Sequence, residues 1–195
     1  PVLPTIPYTM HGVNFVMDGK IASNLKVQAA RIDFFCATLG VRELGSQSII
    51  RLLENGFKGL TGIMNASVKD LAPVLGVARS RNAYNELQKL RTTGARLELV
   101  MQAVSSWYIE GMGESNWSKI LPMLPKNLSE IATLSPAEIE YRIREITSVK
   151  SLHKKLATAI PKMAKAILKL GIVIAKVRRV SNKLQGQTVL LTGFR

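Results

Sequence analysis

One offset, 68 residues, relates the first half of the helical part of this chain to the second. Ser67-Val68-Lys69-Asp70 places a hydroxyl three residues ahead of a carboxylate, the signature of a capped helix start. Ser135-Pro136-Ala137-Glu138 repeats it, with proline at the first helical position, where its missing N–H costs nothing. The same offset pairs Val41 with Ile109, Leu44 with Met112, Gly45 with Gly113, Leu52-Leu53 with Ile120-Leu121, Leu60 with Leu128 and Ile63 with Ile131. Chance supplies one or two such pairs; a set that runs through caps, turns and apolar positions indicates an internal duplication. From about Ile21 to Leu170 apolar residues recur three and four apart, so the repeated unit is helical and the chain is expected to be mainly α.

Each half holds two similar turns: Val41 to Ser46 and Val74 to Arg79 in the first, Ile109 to Glu114 and Ile146 to Ser151 in the second. Their central apolar residues, Leu44, Val77, Met112 and Val149, are 33, 35 and 37 residues apart. A near-regular period with helices on both sides describes four helix–turn–helix units. In such a turn glycines permit positive φ and remove side chains that would block a close approach. The central apolar residue is expected to point back and pin the turn between its helices. The residues that follow open a helix, and their unsatisfied backbone N–H groups can receive a phosphate oxygen. Four such turns could grip both strands of a duplex along the backbone without reading bases.

The turns differ in completeness. Gly111-Met112-Gly113 is the full form, followed by Glu114 and Ser115. Gly76-Val77-Ala78 keeps one glycine, with Arg79 and Arg81 beside it. In Glu43-Leu44-Gly45-Ser46 the first glycine is gone. Ser148-Val149-Lys150-Ser151 has neither glycine but is followed by Lys154 and Lys155. Backbone N–H groups of these four turns are the candidate phosphate ligands, with Arg42, Arg79, Arg81, Lys119, Lys150, Lys154 and Lys155 supplying charge. The plain alternative is that each turn is an ordinary connection in a helical bundle; the period and the duplication favour the shared role.

Charge points the same way. Twenty-seven Lys and Arg against thirteen Asp and Glu give +14, which argues for a polyanionic partner. The excess is lopsided: residues 1–145 carry 16 basic and 13 acidic side chains, residues 146–195 carry 11 basic and none acidic. Hydrophobic content of 47% excludes wholesale disorder. A single cysteine, Cys36, excludes an internal disulfide and a zinc site built from several cysteines of this chain; in its run Phe34-Phe35-Cys36-Ala37 it reads as a core residue. No apolar run is long enough for a membrane span. The start, Pro1-Val2-Leu3-Pro4, lacks the pattern of a signal peptide and an initiator Met, and the chain stops on a β-rich run, so it is expected to be a piece of a longer polypeptide. Tyr8 to Met17 has strand character with a turn at His11-Gly12.

The order of these parts resembles the C-terminal region of NAD-dependent DNA ligases, over almost the whole chain. Four helix-hairpin-helix motifs at this spacing are similar to their tandem helix-hairpin-helix domain, and Leu39-Gly40-Val41-Arg42-Glu43-Leu44-Gly45 has the form of a ligase hairpin variant. Leu184 to Gly193 resembles the first strand of the BRCT domain that follows it in these enzymes. His11 to Met17 is similar to the end of the oligonucleotide-binding barrel of viral or phage-like members. The resemblance implies an organisation of 1–20 (end of the barrel), 21–160 (tandem helix-hairpin-helix domain), 161–185 (helix and linker) and 186–195 (start of BRCT). It also implies a parent enzyme that adenylates itself from NAD with Mg²⁺, transfers AMP to a 5′-phosphate and seals the nick, inside a cell or at a site of viral DNA replication. This segment would bind nicked duplex DNA without sequence preference, hold no cofactor and carry no catalytic residue.

Two departures are plain. The four-cysteine zinc finger of bacterial members is missing, since Asp18 to Ala30 has no cysteine, and so is the Lys-x-Asp-Gly adenylation motif, since in Asp18-Gly19-Lys20 the lysine comes last. The nucleophile is expected upstream or on a separate subunit. The other readings are a helix-hairpin-helix module of a repair nuclease or branch-migration protein, and a basic amphipathic helix for a membrane. The latter rests on the stripe Leu152, Leu156, Ile160, Met163, Ile167, Leu170, Ile174 and Val177 with six interleaved lysines. Pro161 argues against one continuous helix there and reads as the start of a new one that stops at Gly171. Trp107, Tyr108 and Trp117 flank the complete turn, where base stacking competes with simple core packing. His11 and His153 have no ligand partners at helical spacing.

Overall fold

The computed structural model describes residues 8–11, 14–17 and 24–175. The expected linker residues 176–185 and the expected start of a BRCT domain at 186–195 lie outside them. An antiparallel hairpin of β1 (Tyr8–His11) and β2 (Asn14–Met17) pairs Tyr8 with Met17 and His11 with Asn14. The other described residues are mainly helical: α1 (Leu25–Thr38), α2 (Ser46–Glu54), α3 (Gly59–Asn65), α4 (Val68–Leu75), α5 (Val77–Thr92), α6 (Leu97–Ser105), α7 (Glu114–Ile120), α8 (Leu128–Ile131), α9 (Pro136–Ile143) and α10 (His153–Leu170), with 3₁₀ turns at Leu121–Met123 and Thr147–Leu152.

The 68-residue offset recurs in the helix starts: α2 and α7 open at Ser46 and Glu114, α4 and α9 at Val68 and Pro136. The caps of α4 and α9 are matched bond for bond. The Ser67 N–H and hydroxyl donate to Asp70 at 2.8 and 2.7 Å, and the Asp70 N–H donates back to the Ser67 hydroxyl at 3.3 Å. Ser135 and Glu138 repeat the three distances. These hydrogen bonds, the hydroxyl's first and the backbone's second, hold both carboxyls below their ordinary pKa.

Within the first half α1 packs on α2 and α4 on α2 and α5; within the second α10 packs on α9, α8 and α6. The halves meet through their equivalent first helices, α1 and α6. One core runs through both: Ile32, Phe35, Leu52, Ile63 and Leu71 on one side and Met101, Trp117, Ile120, Ile131 and Ile139 on the other are all but inaccessible. Phe35 and Trp107 cross the seam as an edge-to-face pair, ring centroids 6.3 Å apart. Cys36 is buried there, and burial, with Asp33 and Glu86 nearby, pushes its thiol up to about 12.

One expectation changes. Pro161 does not start a helix: α10 runs unbroken from His153 to Leu170 with Pro161 inside it, and only Gly171, at φ 68°, ends it as read. An interior proline costs about 3 kcal/mol. Burial of Leu156, Ile160, Met163, Ile167 and Leu170 on the same face, at roughly 1.5–3 kcal/mol each, outweighs that. The part of the stripe on α10 therefore packs inward on the second half, and Val177 lies outside the described residues.

After α10 the chain returns to the joint between the halves. The Val173 N–H donates to Leu90 O (2.9 Å), the Ala95 N–H to Val173 O (3.1 Å) and the Ala175 N–H to Ala95 O (2.9 Å), making a short parallel bridge of Ala95 with Ile174. Gly94 makes the approach possible: at φ 77°, a Cβ there would lie 2.0 Å from Val173 O.

Candidate nucleic-acid interface

The first and third turns are loops of like build. Each ends on a glycine that caps the next helix, Gly45 before α2 (φ −88°, ψ 170°) and Gly113 before α7 (φ −88°, ψ 172°). Any residue can adopt this backbone, and a Cβ at either position would meet no atom of the chain within 4 Å. The fold itself therefore does not require glycine there. No side chain caps either helix, so the first-turn N–H groups lack a side-chain acceptor. Leu44 and Met112 are buried and pin the turns, as expected. Gly111, at φ 76°, is the one member of the Gly-Met-Gly run whose backbone demands glycine.

The two loops differ in what already occupies them. In the first, the N–H groups of Arg42 and Glu43 donate to one oxygen of Glu86, on α5, at 2.8 and 3.1 Å. Glu43 in turn receives Asn82 at 3.4 Å and faces Arg79 at 3.7 Å. The Ser46 hydroxyl donates to Asp33 at 2.6 Å. Turn one and the start of α5 are thus held together by carboxylates. In the third loop Glu114 pairs with Arg96, just ahead of α6.

The second turn is a single residue. Gly76, at φ 80° and ψ 156°, ends α4 and caps α5. Val77 is therefore already the first helical residue, with no loop to fold it back, and it is 62% exposed. The expectation that it pins its turn fails for that reason. Ala78, Arg79 and Arg81 beside it are exposed. The fourth turn is longer, a 3₁₀ segment kinked at Val149 (φ −125°, ψ 17°), which is buried. His153 closes it, its Nε2–H donating to Ile146 O at 3.0 Å. Lys150, Ser151, Lys154 and Lys155 stand exposed around it.

Of the other sequence candidates, Arg42, Ser115 and Lys119 are exposed. Among the described residues no ion pair involves Arg42, Arg81, Lys119, Lys150, Lys154 or Lys155. The aromatic residues divide: Trp117 is wholly buried, Trp107 is packed against Phe35, and Tyr108 keeps 39% of its surface exposed. Sequence reasoning missed Glu86, Asp33 and Asn82. Asp33 meets its partner 13 residues on, and the contacts of Glu86 and Asn82 span 39 to 44 residues. No local pattern announces them.

The class defined is a mainly α, two-fold helical repeat with two bare, glycine-capped helix starts at equivalent positions. Among the described residues no helix is long and apolar enough to cross a membrane, and no three His, Cys, Asp or Glu gather as metal ligands. The chain is 25% identical over 205 aligned residues to the DNA ligase of Acanthamoeba polyphaga mimivirus, an alignment that takes in all of this chain and 32% of that protein. It thus spans about a third of the length of the relative it matches. No family profile matches the chain, and neither does any solved structure.

Proposed function

We infer that this chain is the duplex-holding part of a DNA ligase, one that binds nicked double-stranded DNA through its phosphates and leaves the chemistry to another part of the enzyme. The observation that carries this reading is the matched pair of helix starts at Gly45 and Gly113, bare of side chains although nothing inside the fold excludes them. A bare, uncapped helix start suits the close approach of a phosphate, whose oxygens accept from first-turn N–H groups at the positive end of the helix dipole. The unpaired cations of the fourth turn, Lys150, Lys154 and Lys155, add charge where glycine is absent, and Arg81 and Lys119 do so beside the second and third. The likeness to a viral DNA ligase over the whole chain supports the same reading.

In this reading the four turns are helix-hairpin-helix motifs of a tandem domain, with a BRCT domain beginning at the C-terminus. The parent enzyme is NAD-dependent, and its adenylation domain or subunit takes AMP from NAD with Mg²⁺. Neither NAD nor Mg²⁺ would be held by this segment, whose work is to fix the duplex around the nick.

Fluorescence anisotropy of a labelled nicked duplex against a salt series tests this. Log K should fall by about 0.9 per phosphate neutralised. Gly45→Val and Gly113→Val, which the backbone tolerates, should each weaken binding roughly tenfold, the loss of a charge-assisted hydrogen bond or two, with unchanged circular dichroism. Salt-independent binding, or valine variants that bind as the wild type does, would sink the reading.

A further inference from the structure

The seam between the halves carries a trough. α1, α6 and the third turn enclose a groove of about 770 Å³, walled by Lys26, Arg31 and Phe34 on one side and by Glu110, Gly111 and Gly113 on the other. A hollow of about 460 Å³ shares Arg31 and Glu110 with it and adds Tyr108 and Lys155. A third, of about 340 Å³, shares Tyr108 and reaches Lys58 and Lys169. Each lies within or near the ~300–1,000 Å³ of sites that take a small organic group.

Two independent features mark this trough. The first is its rings. In Phe34-Phe35 and in Trp107-Tyr108 one aromatic packs into the seam, Phe35 against Trp107, while its neighbour stays out: Phe34 is 40% and Tyr108 39% exposed. The second is its charge. Lys26 and Arg31 line the groove, Arg31 and Lys155 the hollow beside it, and Lys58 and Lys169 the third, with Glu110 the one carboxylate among the described lining residues. Cations interleaved with exposed flat rings suit an unpaired strand, whose phosphates meet the cations and whose bases stack on the rings. In an intact duplex the base faces are already stacked on one another and have no use for such rings.

We propose that this trough takes an unpaired DNA strand, a flap or frayed end beside the held duplex, with Tyr108 and Phe34 as the stacking surfaces. The proposal rests on the DNA-binding reading above and names a second form of substrate for it. The full 195-residue chain is titrated with a short oligothymidylate, with a nicked duplex, and with the same duplex bearing a 5′ flap that contains 2-aminopurine. Tyr108→Ala and Phe34→Ala should each lower affinity for the oligothymidylate and the flap by roughly tenfold and relieve quenching of the 2-aminopurine. Tyr108→Phe and Phe34→Tyr should restore both, and nicked duplex without a flap should bind within about twofold of wild type throughout. Unchanged flap and oligothymidylate binding in both alanine variants, with native circular dichroism, overturns the proposal and leaves duplex binding standing. A wild-type chain that does not bind nicked duplex overturns the earlier reading instead, and the oligothymidylate titration still decides this one.

Discussion

Leu44 and Val77 hold like places in their turns and opposite places in the fold. Leu44 is buried to 1% exposure, so Leu44→Ala should cost about 2–5 kcal/mol. Val77→Ala, at a residue 62% exposed, should change stability by no more than about 0.5 kcal/mol; urea melts of the two variants check the contrast. Cys36 makes a second residue-scale test. Its folded-state pKa of about 12 lies above the ordinary 9, so the protonated thiol is the form the fold favours. That contribution is intact below pH 9 and is lost as pH rises from 9 through about 12. Folded protein should therefore resist thiol alkylation at pH 8 and react only on unfolding, and Cys36→Ala should flatten the alkaline end of the stability curve. Glu86 sets the limit of reading residues singly: it looks like one more solvated acid on a helix, yet it holds two N–H groups of a distant loop.

Helices with local signals were legible from the sequence, and those decided by packing were not. The two capping boxes were readable because hydroxyl and carboxylate lie three residues apart, and the structure places α4 and α9 where they say. Pro161 misled for the converse reason: its local cost is real, but the burial that offsets it lies across the helix on α9, α8 and α6. Val77 misled because a turn shortened to one residue looks, as a string, like the longer turns. The capping boxes make their own pH prediction. Both carboxyls titrate below their ordinary range in the folded state, so what they contribute is present at neutral pH. It is lost as pH falls through those lowered values. Asp70→Asn with Glu138→Gln should lower stability at pH 7 and shrink the difference from wild type in acid, as thermal melts between pH 7 and 2 would reveal.

Across the whole molecule, the two halves share one core, meet through α1 and α6, and are tied again where residues 173–175 return to Ala95. Gly94→Ala should break that tie, since its Cβ would fall 2.0 Å from Val173 O on a left-handed backbone. The expected cost is roughly 1–3 kcal/mol, with faster hydrogen exchange at Val173 and Ala175 and little change in α4 or α9. The tie also gives the molecule a mechanical point of attachment. The chain after Ala175 departs from the line where the halves join, not from the free end of α10. Tension applied beyond Ala175 would be borne first by the bonds to Ala95 and Leu90, and so would load both halves together instead of peeling one helix from the second.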